Sequence, residues 1–181
     1  LITSSAASDV YKRQHTYSHL YKIPTTGLRF FTVYGPYGRP DMAYYKFTKA
    51  ILSGNSIDVY NNGEMKRDFT YIDDIVEGII SIVNSIPSQQ KDSETSITTP
   101  FRLYNIGNNN PVSLLDFIAL IEKFCNKKAK KNYLTMQPGD VKSTFADIDD
   151  LENDFGFRPS TSLDTGIKKF VNWYINVGEN N

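Results

Sequence analysis

The sequence is poor in the features that define several large classes of protein. Its 181 residues include a single cysteine, Cys125, which excludes an internal disulfide framework and suits a reducing compartment. No run of about eighteen apolar residues is present, so we predict no membrane-spanning helix. Twenty Lys and Arg residues balance twenty Asp and Glu residues, which leaves no overall field to attract nucleic acid or an anionic membrane. We therefore expect a cytoplasmic protein that holds any anionic ligand with local side chains.

Histidine is also scarce, and it does not suggest a metal centre. The two histidines, His15 and His19, are four residues apart on a predicted helix. No cysteine or carboxylate pattern accompanies them in the way that zinc ligands are usually spaced. We predict structural or surface histidines and no metal site.

What the sequence does contain is an alternation of short apolar strands and amphipathic helices, which predicts an α/β fold. The predicted strands cover residues 27–34, 57–60, 69–72, 101–107 and the surroundings of residue 133. The predicted helices cover residues 42–52, 73–83, 114–124, a short stretch from 148, and 163–177. Ser113 is expected to cap the third of these helices. Residues 85–99, rich in Ser, Gln, Thr and Lys, are expected to form a flexible surface excursion.

The most informative stretch is LRFFTVYGPYGRPD, residues 28–41, in which a strand runs into a loop punctuated by glycine and proline. Such loops at the carboxyl edge of a sheet often form ligand sites. Thr32 ends the strand and Arg39 lies in the loop, so a hydroxyl and a guanidinium can converge on one carboxylate. The alternative is a Thr32 hydroxyl bonded to backbone and an Arg39 that is only solvated.

Two further segments carry polar residues in suggestive positions. Arg67 opens RDFTYIDD, where a cation beside an alternating segment could contact a diphosphate. The alternative is an ion pair between Arg67 and Asp68 or Asp73. Asp140 ends QPGD, a turn signal whose carboxylate could accept hydrogen bonds from a ribose diol, although such a sequence is usually only a turn.

The segments FFTVYGPYGRPDM and RDFTYIDD resemble the sugar-nucleotide epimerases and dehydratases of the extended short-chain dehydrogenase/reductase family. The resemblance implies an α/β chain that comprises the C-terminal part of a Rossmann fold plus a small α/β sugar-nucleotide-binding domain. It also implies NAD as cofactor of the complete protein and epimerisation at C4 of a UDP-uronic acid, with Thr32 and Arg39 holding the sugar carboxylate. A homodimer is the implied assembly, with no nucleic-acid or membrane partner.

The resemblance assigns further residues by their position in these motifs. It implies the following contacts: Phe31 and Tyr34 with NAD; Phe47, Val59 and Tyr60 with uracil; Arg67 with the diphosphate; and Asp140 with the ribose. For Phe47, ordinary core packing is the alternative.

The chain departs from the family where the chemistry of hydride transfer is expected. A dinucleotide-binding turn of the type GxxGxxG is absent, and the first glycine is Gly27. The family's Tyr-x-x-x-Lys pair would fall at Thr3 and Ala7, and neither can act as a base. Tyr11 and Lys12 are adjacent and point to different helix faces, so they do not replace the pair. We therefore predict no catalytic residue in this chain.

These departures suggest how the chain is organised. Residues 1–14 lack the helical pattern expected ahead of His15 and look foreign to the family. Residues 15–34 are expected to be a remnant of the Rossmann domain. Residues 35–181 would form the sugar-nucleotide domain, with 101–125 returning to the Rossmann sheet. The chain is thus expected to be a C-terminal part of the family's fold.

Three hypotheses about function stay open. The first is a UDP-glucuronate 4-epimerase activity of the complete protein, to which this chain supplies the sugar-nucleotide site. The second is a UDP-glucuronate decarboxylase or another nucleotide-sugar epimerase or dehydratase. The motif RDFTYIDD is shared by these enzymes, so it indicates the superfamily but does not distinguish the reaction. The third is a catalytically inactive fragment that binds nucleotide sugars.

Overall fold

The computed structural model describes residues 2–87, 90–91 and 98–177. The helices are α1 (Ile2–Tyr21), α2 (Ala43–Ser53), α3 (Ile72–Val83), α4 (Leu114–Cys125), α5 (Asp149–Phe155) and α6 (Leu163–Asn176). The strands are β1 (Thr25–Phe30), β2 (Val33–Tyr34), β3 (Ser56–Tyr60), β4 (Lys66–Asp68), β5 (Thr70–Tyr71), β6 (Gln90–Lys91), β7 (Thr98–Thr99), β8 (Phe101–Ile106), β9 (Pro111–Ser113) and β10 (Lys130–Leu134). The predicted α/β fold is confirmed.

Strands pair across long stretches of sequence, and most pairs are parallel. β1 lies parallel to β8 with Thr25 opposite Phe101, and β3 lies parallel to β10. β2 is parallel to β5, whereas β4 and β9 are antiparallel, as are β6 and β7. Parallel pairs need crossover connections, which the helices provide here.

The strand predicted over residues 27–34 is two strands, and this correction matters for the site. Phe31 N–H still donates to the carbonyl of Ile106, at 3.2 Å, as the end of the β1–β8 ladder. The carbonyl of Thr32 instead accepts from Thr70 N–H at 3.0 Å. The chain therefore changes pairing partner between Phe31 and Thr32, and Thr32 lies at the break.

The helix boundaries follow local capping rules. Ser113 accepts a hydrogen bond from Asp116 N–H at 3.1 Å and caps α4, as predicted. α2 ends at Gly54, which adopts a left-handed conformation with φ of 73°. The helices predicted over 42–52, 114–124 and 163–177 are confirmed as α2, α4 and α6 to within a few residues.

The first part of the chain is helical although its sequence lacks the expected helical pattern. α1 runs without interruption from Ile2 to Tyr21. Its first part contains strong helix formers such as Ala6 and Ala7, and Arg13 Nε lies 3.0 Å from the Asp9 carboxylate one turn earlier. A helix that does not bury a continuous apolar stripe is missed by a search for hydrophobic periodicity.

Buried side chains form two clusters. The large core joins α2, α4 and α6 to β3, and its buried members include Phe47, Val59, Phe117 and Phe170. The small core consists of Ile75, Ile82, Tyr104, Ile106 and Leu151, from α3, β8 and α5. Of the stretch predicted to return to the Rossmann sheet, β8 pairs with β1, whereas α4 packs in the large core. The domain boundaries stay a prediction. Much of the predicted 85–99 excursion lies outside the described residues.

Candidate functional site

The loop that follows β2 forms one wall of a cleft of about 510 Å³. Thr32 and Arg39 both line this cleft, together with Phe31 and Tyr44. Gly35 is required where the loop turns, because its φ is 147° and a Cβ there would lie 2.4 Å from Ile72. The structure thus brings the predicted hydroxyl and guanidinium to one cavity, while their role as a carboxylate clamp stays a prediction.

Arg39 is held by a neighbour in the same loop. Its Nε donates to Asp41 Oδ1 at 3.0 Å and its Nη2 donates to Oδ2 at 2.6 Å, a two-point contact. Both side chains are exposed, at 77% for Arg39 and 56% for Asp41. The hydrogen bond and the charge of Asp41 raise the pKa of Arg39, and the hydrogen bond from Arg39 lowers the pKa of Asp41. Arg39 is therefore not a free solvated arginine.

A second cleft, of about 380 Å³, lies between α2 and β3. Phe47 and Tyr60, two of the residues assigned to uracil, line it with Asp41. Val59, the third, has no exposed surface and belongs to the large core. Val59 is therefore a packing residue, and it lines neither cleft. Phe47 lines the cleft and also belongs to the large core, and its contact with uracil stays a prediction.

Arg67 and Asp140 form one ion pair, although they are 73 residues apart. Arg67 Nη2 donates to Asp140 Oδ1 at 2.8 Å, and the two side chains are 20% and 34% exposed. The alternative that paired Arg67 with Asp68 or Asp73 was wrong, since Asp73 lies 3.4 Å from Lys169. Two residues assigned to different parts of a ligand thus lie side by side at the end of β4.

The two residues assigned to NAD differ sharply. Phe31 lines both the 510 Å³ cleft and a larger one of about 710 Å³. Tyr34 is only 1% exposed, and its ring packs against Tyr44, Phe69 and Tyr71. Burial raises the pKa of the Tyr34 hydroxyl far above its usual range. The assignment of the Tyr34 side chain to a cofactor is therefore corrected: Tyr34 is a core residue.

The 710 Å³ cleft lies between α1 and β1 and was not predicted from the sequence. Val10, Tyr11 and Gln14 line it from the helix, opposite Arg29 and Phe31. Thr3 and Ala7 precede these residues on the same helix. Neither threonine nor alanine can transfer a proton at neutral pH. The absence of the family's catalytic pair from this chain stays a prediction.

Sequence reasoning missed the buried carboxylates that shape the site. Asp68 is fully buried and accepts hydrogen bonds from the N–H groups of Asn108, Asn109 and Ala146, at 2.9–3.1 Å. It anchors the end of β4 next to Arg67. Its position beside an arginine suggested an ion pair, and only the fold reveals that three distant backbone amides are its partners.

Asp74 has a similar role at the start of α3. Asp73 and Asp74 both lie in the first turn of this helix. No side chain caps its first turn in the structure, and Asp74 instead accepts from the N–H and the hydroxyl of Thr161, at 3.0 and 2.8 Å. The carboxylate therefore ties α3 to the segment before α6.

The histidines are occupied by contacts within the chain. His15 meets Phe101 edge to face at 5.2 Å, and His19 Nδ1 lies 3.3 Å from the Thr99 hydroxyl. In the part of the chain that the structure describes, no three His, Cys, Asp or Glu residues are grouped to hold a metal ion. The same residues contain no helix with the length and apolarity that a bilayer crossing needs.

The sequence profile of the NAD dependent epimerase/dehydratase family matches residues 10–107. The chain belongs to this family. The match begins ahead of His15, so part of the segment taken as foreign is family sequence. The fold agrees with a parallel α/β sheet whose loops carry Thr32 and Arg39.

Individual members of the family are similar to this chain over most of its length. Protein CapI of Staphylococcus aureus is 55% identical over 167 residues, which cover 89% of this chain and 50% of CapI. A probable UDP-glucuronate 4-epimerase of Rhizobium meliloti is 50% identical, with coverage of 88% and 49%. The crystal structure of UDP-glucuronic acid 4-epimerase from Bacillus cereus with UDP-glucuronic acid and NAD superposes with a TM-score of 0.78 at 34% identity, covering 90% of this chain and 49% of that one. The chain spans about half the length of these relatives.

Proposed function

We propose that this chain supplies the sugar-nucleotide site of an NAD-dependent enzyme that interconverts UDP-glucuronate and UDP-galacturonate. The observation that carries the proposal is the shared cleft of Thr32 and Arg39, next to the cleft of Phe47 and Tyr60. A uronate carboxylate in the first cleft and a uracil ring in the second would match the polar and aromatic character of each. The similarity to UDP-glucuronate 4-epimerases supports the same assignment.

The charged residues would bind different parts of the nucleotide sugar. Arg39 offers a planar fork that fits a carboxylate, and Thr32 adds a neutral donor. Arg67, partly buried at the end of β4, supplies the positive charge for a diphosphate. Asp140 already accepts from Arg67, so it fixes the direction of that guanidinium, and its second oxygen offers an acceptor for a ribose hydroxyl.

The residues of this chain fit only one side of a nicotinamide site. Phe31 lines the 710 Å³ cleft that faces α1, but no glycine-rich turn is present for a pyrophosphate and Tyr34 is buried. NAD would supply reversible oxidation at C4 of the sugar when bound to the complete protein. The chain itself contributes the binding and orientation of the substrate.

Orientation of the carboxylate would decide between epimerisation and decarboxylation. A uronate oxidised at C4 is a β-keto acid, which loses CO₂ when the breaking bond aligns with the carbonyl π system. A clamp by Thr32 and Arg39 that holds the carboxylate out of this alignment favours epimerisation. The same residue types in another geometry would favour a UDP-glucuronate decarboxylase.

A second candidate is a chain that binds nucleotide sugars without turning them over. It is supported by the sequence, which contains no GxxGxxG turn and in which we predict that Thr3 and Ala7 fall at the places of the family's Tyr and Lys. We also propose a cytoplasmic location, supported by the single, buried Cys125, whose burial raises the pKa of its thiol to about 11. The homodimer of the complete protein stays a prediction.

Replacement of Arg39 by Lys tests the proposal. We expect Arg39→Lys to weaken binding of UDP-glucuronate by roughly 10- to 100-fold and of UDP-glucose by less than about 2-fold, because only the uronate presents a carboxylate to the fork. Isothermal titration of the full chain with each nucleotide sugar gives both affinities. The matched control is Arg158→Lys, an exposed arginine paired with Glu152, which should change neither. Equal losses on the two ligands would mean that Arg39 does not read the carboxylate.

A further inference from the structure

Asp41 occupies only one edge of the Arg39 guanidinium. The two hydrogen bonds use Nε and one N–H of Nη2, at 3.0 and 2.6 Å. A guanidinium presents a second edge, made of Nη1 and the other N–H of Nη2. No described side chain or carbonyl accepts from that second edge of Arg39. The group is therefore fixed on one side and open on the other.

A backbone turn holds Asp41 in position to contact Arg39. Met42 N–H donates to the carbonyl of Arg39 at 3.2 Å, which closes a turn over Pro40 and Asp41. Pro40 locks its own φ and removes freedom from the turn, and α2 begins at Ala43. The Asp41 carboxylate is thus carried on a constrained turn at the start of a helix whose inner face is buried in the large core.

Asp41 also lies between the two clefts. Arg39 lines the 510 Å³ cleft that contains Thr32, and Asp41 lines the 380 Å³ cleft that contains Phe47 and Tyr60. Contact between the two side chains therefore sets where the guanidinium stands relative to both. An arginine without such a partner would distribute among many rotamers, and fixing it on binding would cost affinity.

We propose that Asp41 is a positioning residue that presents the open edge of Arg39 to the carboxylate of the sugar, and so determines the preference for uronates over neutral hexoses. This inference rests on the proposed function. The negative charge of Asp41 also repels a ligand carboxylate, but both side chains of the pair are exposed and water screens that repulsion. Preorganisation of the fork is the larger effect.

The binding test uses the full chain and the variants Asp41→Asn and Asp41→Glu. We expect Asp41→Asn to raise the Kd for UDP-glucuronate by roughly 5- to 20-fold and to leave UDP-glucose within about 2-fold, since an amide cannot accept two charge-assisted hydrogen bonds. Asp41→Glu keeps the charge and should recover part of the preference. Tighter binding of UDP-glucuronate by Asp41→Asn would show that Asp41 competes with the ligand and would overturn the proposal, as would equal changes for both sugars.

A second readout needs no ligand. The Nε–H signal of Arg39 in a ¹H–¹⁵N spectrum, assigned by its loss in Arg39→Lys, should shift and exchange faster with water in Asp41→Asn. An unchanged signal would mean that the pair does not form, and the proposal would fail. If the unmodified chain shows no preference for UDP-glucuronate, the proposed function fails and the inference falls with it. If the preference is present and Asp41→Asn retains it, the inference alone fails.

Discussion

The large core and the small core differ in how completely their apolar side chains are covered. In the large core Phe117, Ile167 and Phe170 have no exposed surface. In the small core α3 buries Ile75 and Ile82, yet Val76, Ile80 and Val83 on the same helix are 47%, 60% and 69% exposed. A helix that is apolar on more than one face is built to be buried on more than one face.

The two parallel strand pairs lie beside different cores. Both pairs are two-stranded among the described residues. β3 contributes Ile57 and Val59 to the large core, whereas β8 contributes Tyr104 and Ile106 to the small core. Parallel sheets normally have more than two strands and are covered on both faces. The residues proposed for the nucleotide sugar cluster where the large core supports them. The surface next to α1 and β1, where a cofactor would be handled, is the incompletely covered one. The difference separates the region proposed to bind the nucleotide sugar from the region where a cofactor would bind.

Truncation of a central ring in the large core should have the largest effect. Phe170 meets Tyr44 edge to face at 4.9 Å and also contacts Trp173 and Tyr174. We expect Phe170→Ala to lower the free energy of unfolding by ~3–5 kcal/mol, because it leaves a cavity among fixed aromatic rings. Chemical denaturation followed by fluorescence measures the loss.

Phe145→Ala is the matched control for this comparison. Phe145 is 60% exposed at the edge of the α1–β1 cleft, so its removal should cost at most ~0.5 kcal/mol. Similar losses for the two variants would erase the distinction between the covered and the uncovered region.

Acid should weaken the large core through Glu122. This carboxylate is buried, and burial by itself raises its pKa. Hydrogen bonds from Lys128, Lys131 and Ala129 N–H outweigh burial and lower the pKa to about 2 from the usual 4.5. The folded-state pKa is depressed, so the stabilisation is present above pH 4.5 and is lost as the pH falls toward 2. With allowance for water screening of the exposed Lys128, it amounts to on the order of 1–2 kcal/mol.

Urea unfolding at several pH values checks this prediction. Glu122→Gln should be less stable than the unmodified chain at pH 7 and should show a flatter dependence of stability on pH between 5 and 2. Glu77→Gln, at an exposed position on α3, should retain the full dependence. Parallel curves for Glu122→Gln and the unmodified chain would contradict the role assigned to Glu122.

Charges on the uncovered face of α3 should change association and hardly change stability. We expect the unmodified chain to self-associate, because exposed apolar side chains and a free strand edge favour contact between molecules. Ile80→Lys with Val83→Lys should reduce that association in sedimentation velocity, with a change in unfolding free energy of ~0.5 kcal/mol or less.

The control carries the same two charges on the other region. Ile175→Lys with Val177→Lys, at the exposed end of α6, should leave association unchanged. A monodisperse, cooperatively melting monomer for the unmodified chain would contradict the expectation that the exposed face of α3 causes self-association.

Local chemistry allowed much of the fold to be predicted. Ser113 caps α4 because a serine before an apolar, periodic segment is a local signal, and Gly54 ends α2 for a local reason. The meeting of Thr32 and Arg39 in one cleft was also foreseeable, since they flank a single loop and their separation is set by a short stretch of chain.

What escaped prediction depends on residues far apart in sequence. The pair of Arg67 and Asp140 forms because β4 and the loop before residue 141 are brought together by the fold. The break after Phe31 exists because the chain exchanges β8 for β5 as its partner, which no local pattern announces. Tyr34 looked like a ligand residue from its motif, and only packing against Tyr71 and its neighbours shows it to be core.

One sample tests the central claim, that this chain holds the nucleotide sugar but lacks the groups for hydride chemistry. The full chain is incubated with UDP-glucuronate and NAD, and saturation-transfer NMR is recorded before and after a long incubation. We predict transfer of saturation to the uracil and sugar protons of UDP-glucuronate, and no new sugar signals with time. Formation of UDP-galacturonate would contradict the account, because we predict that Thr3 and Ala7 stand where the reaction requires a base.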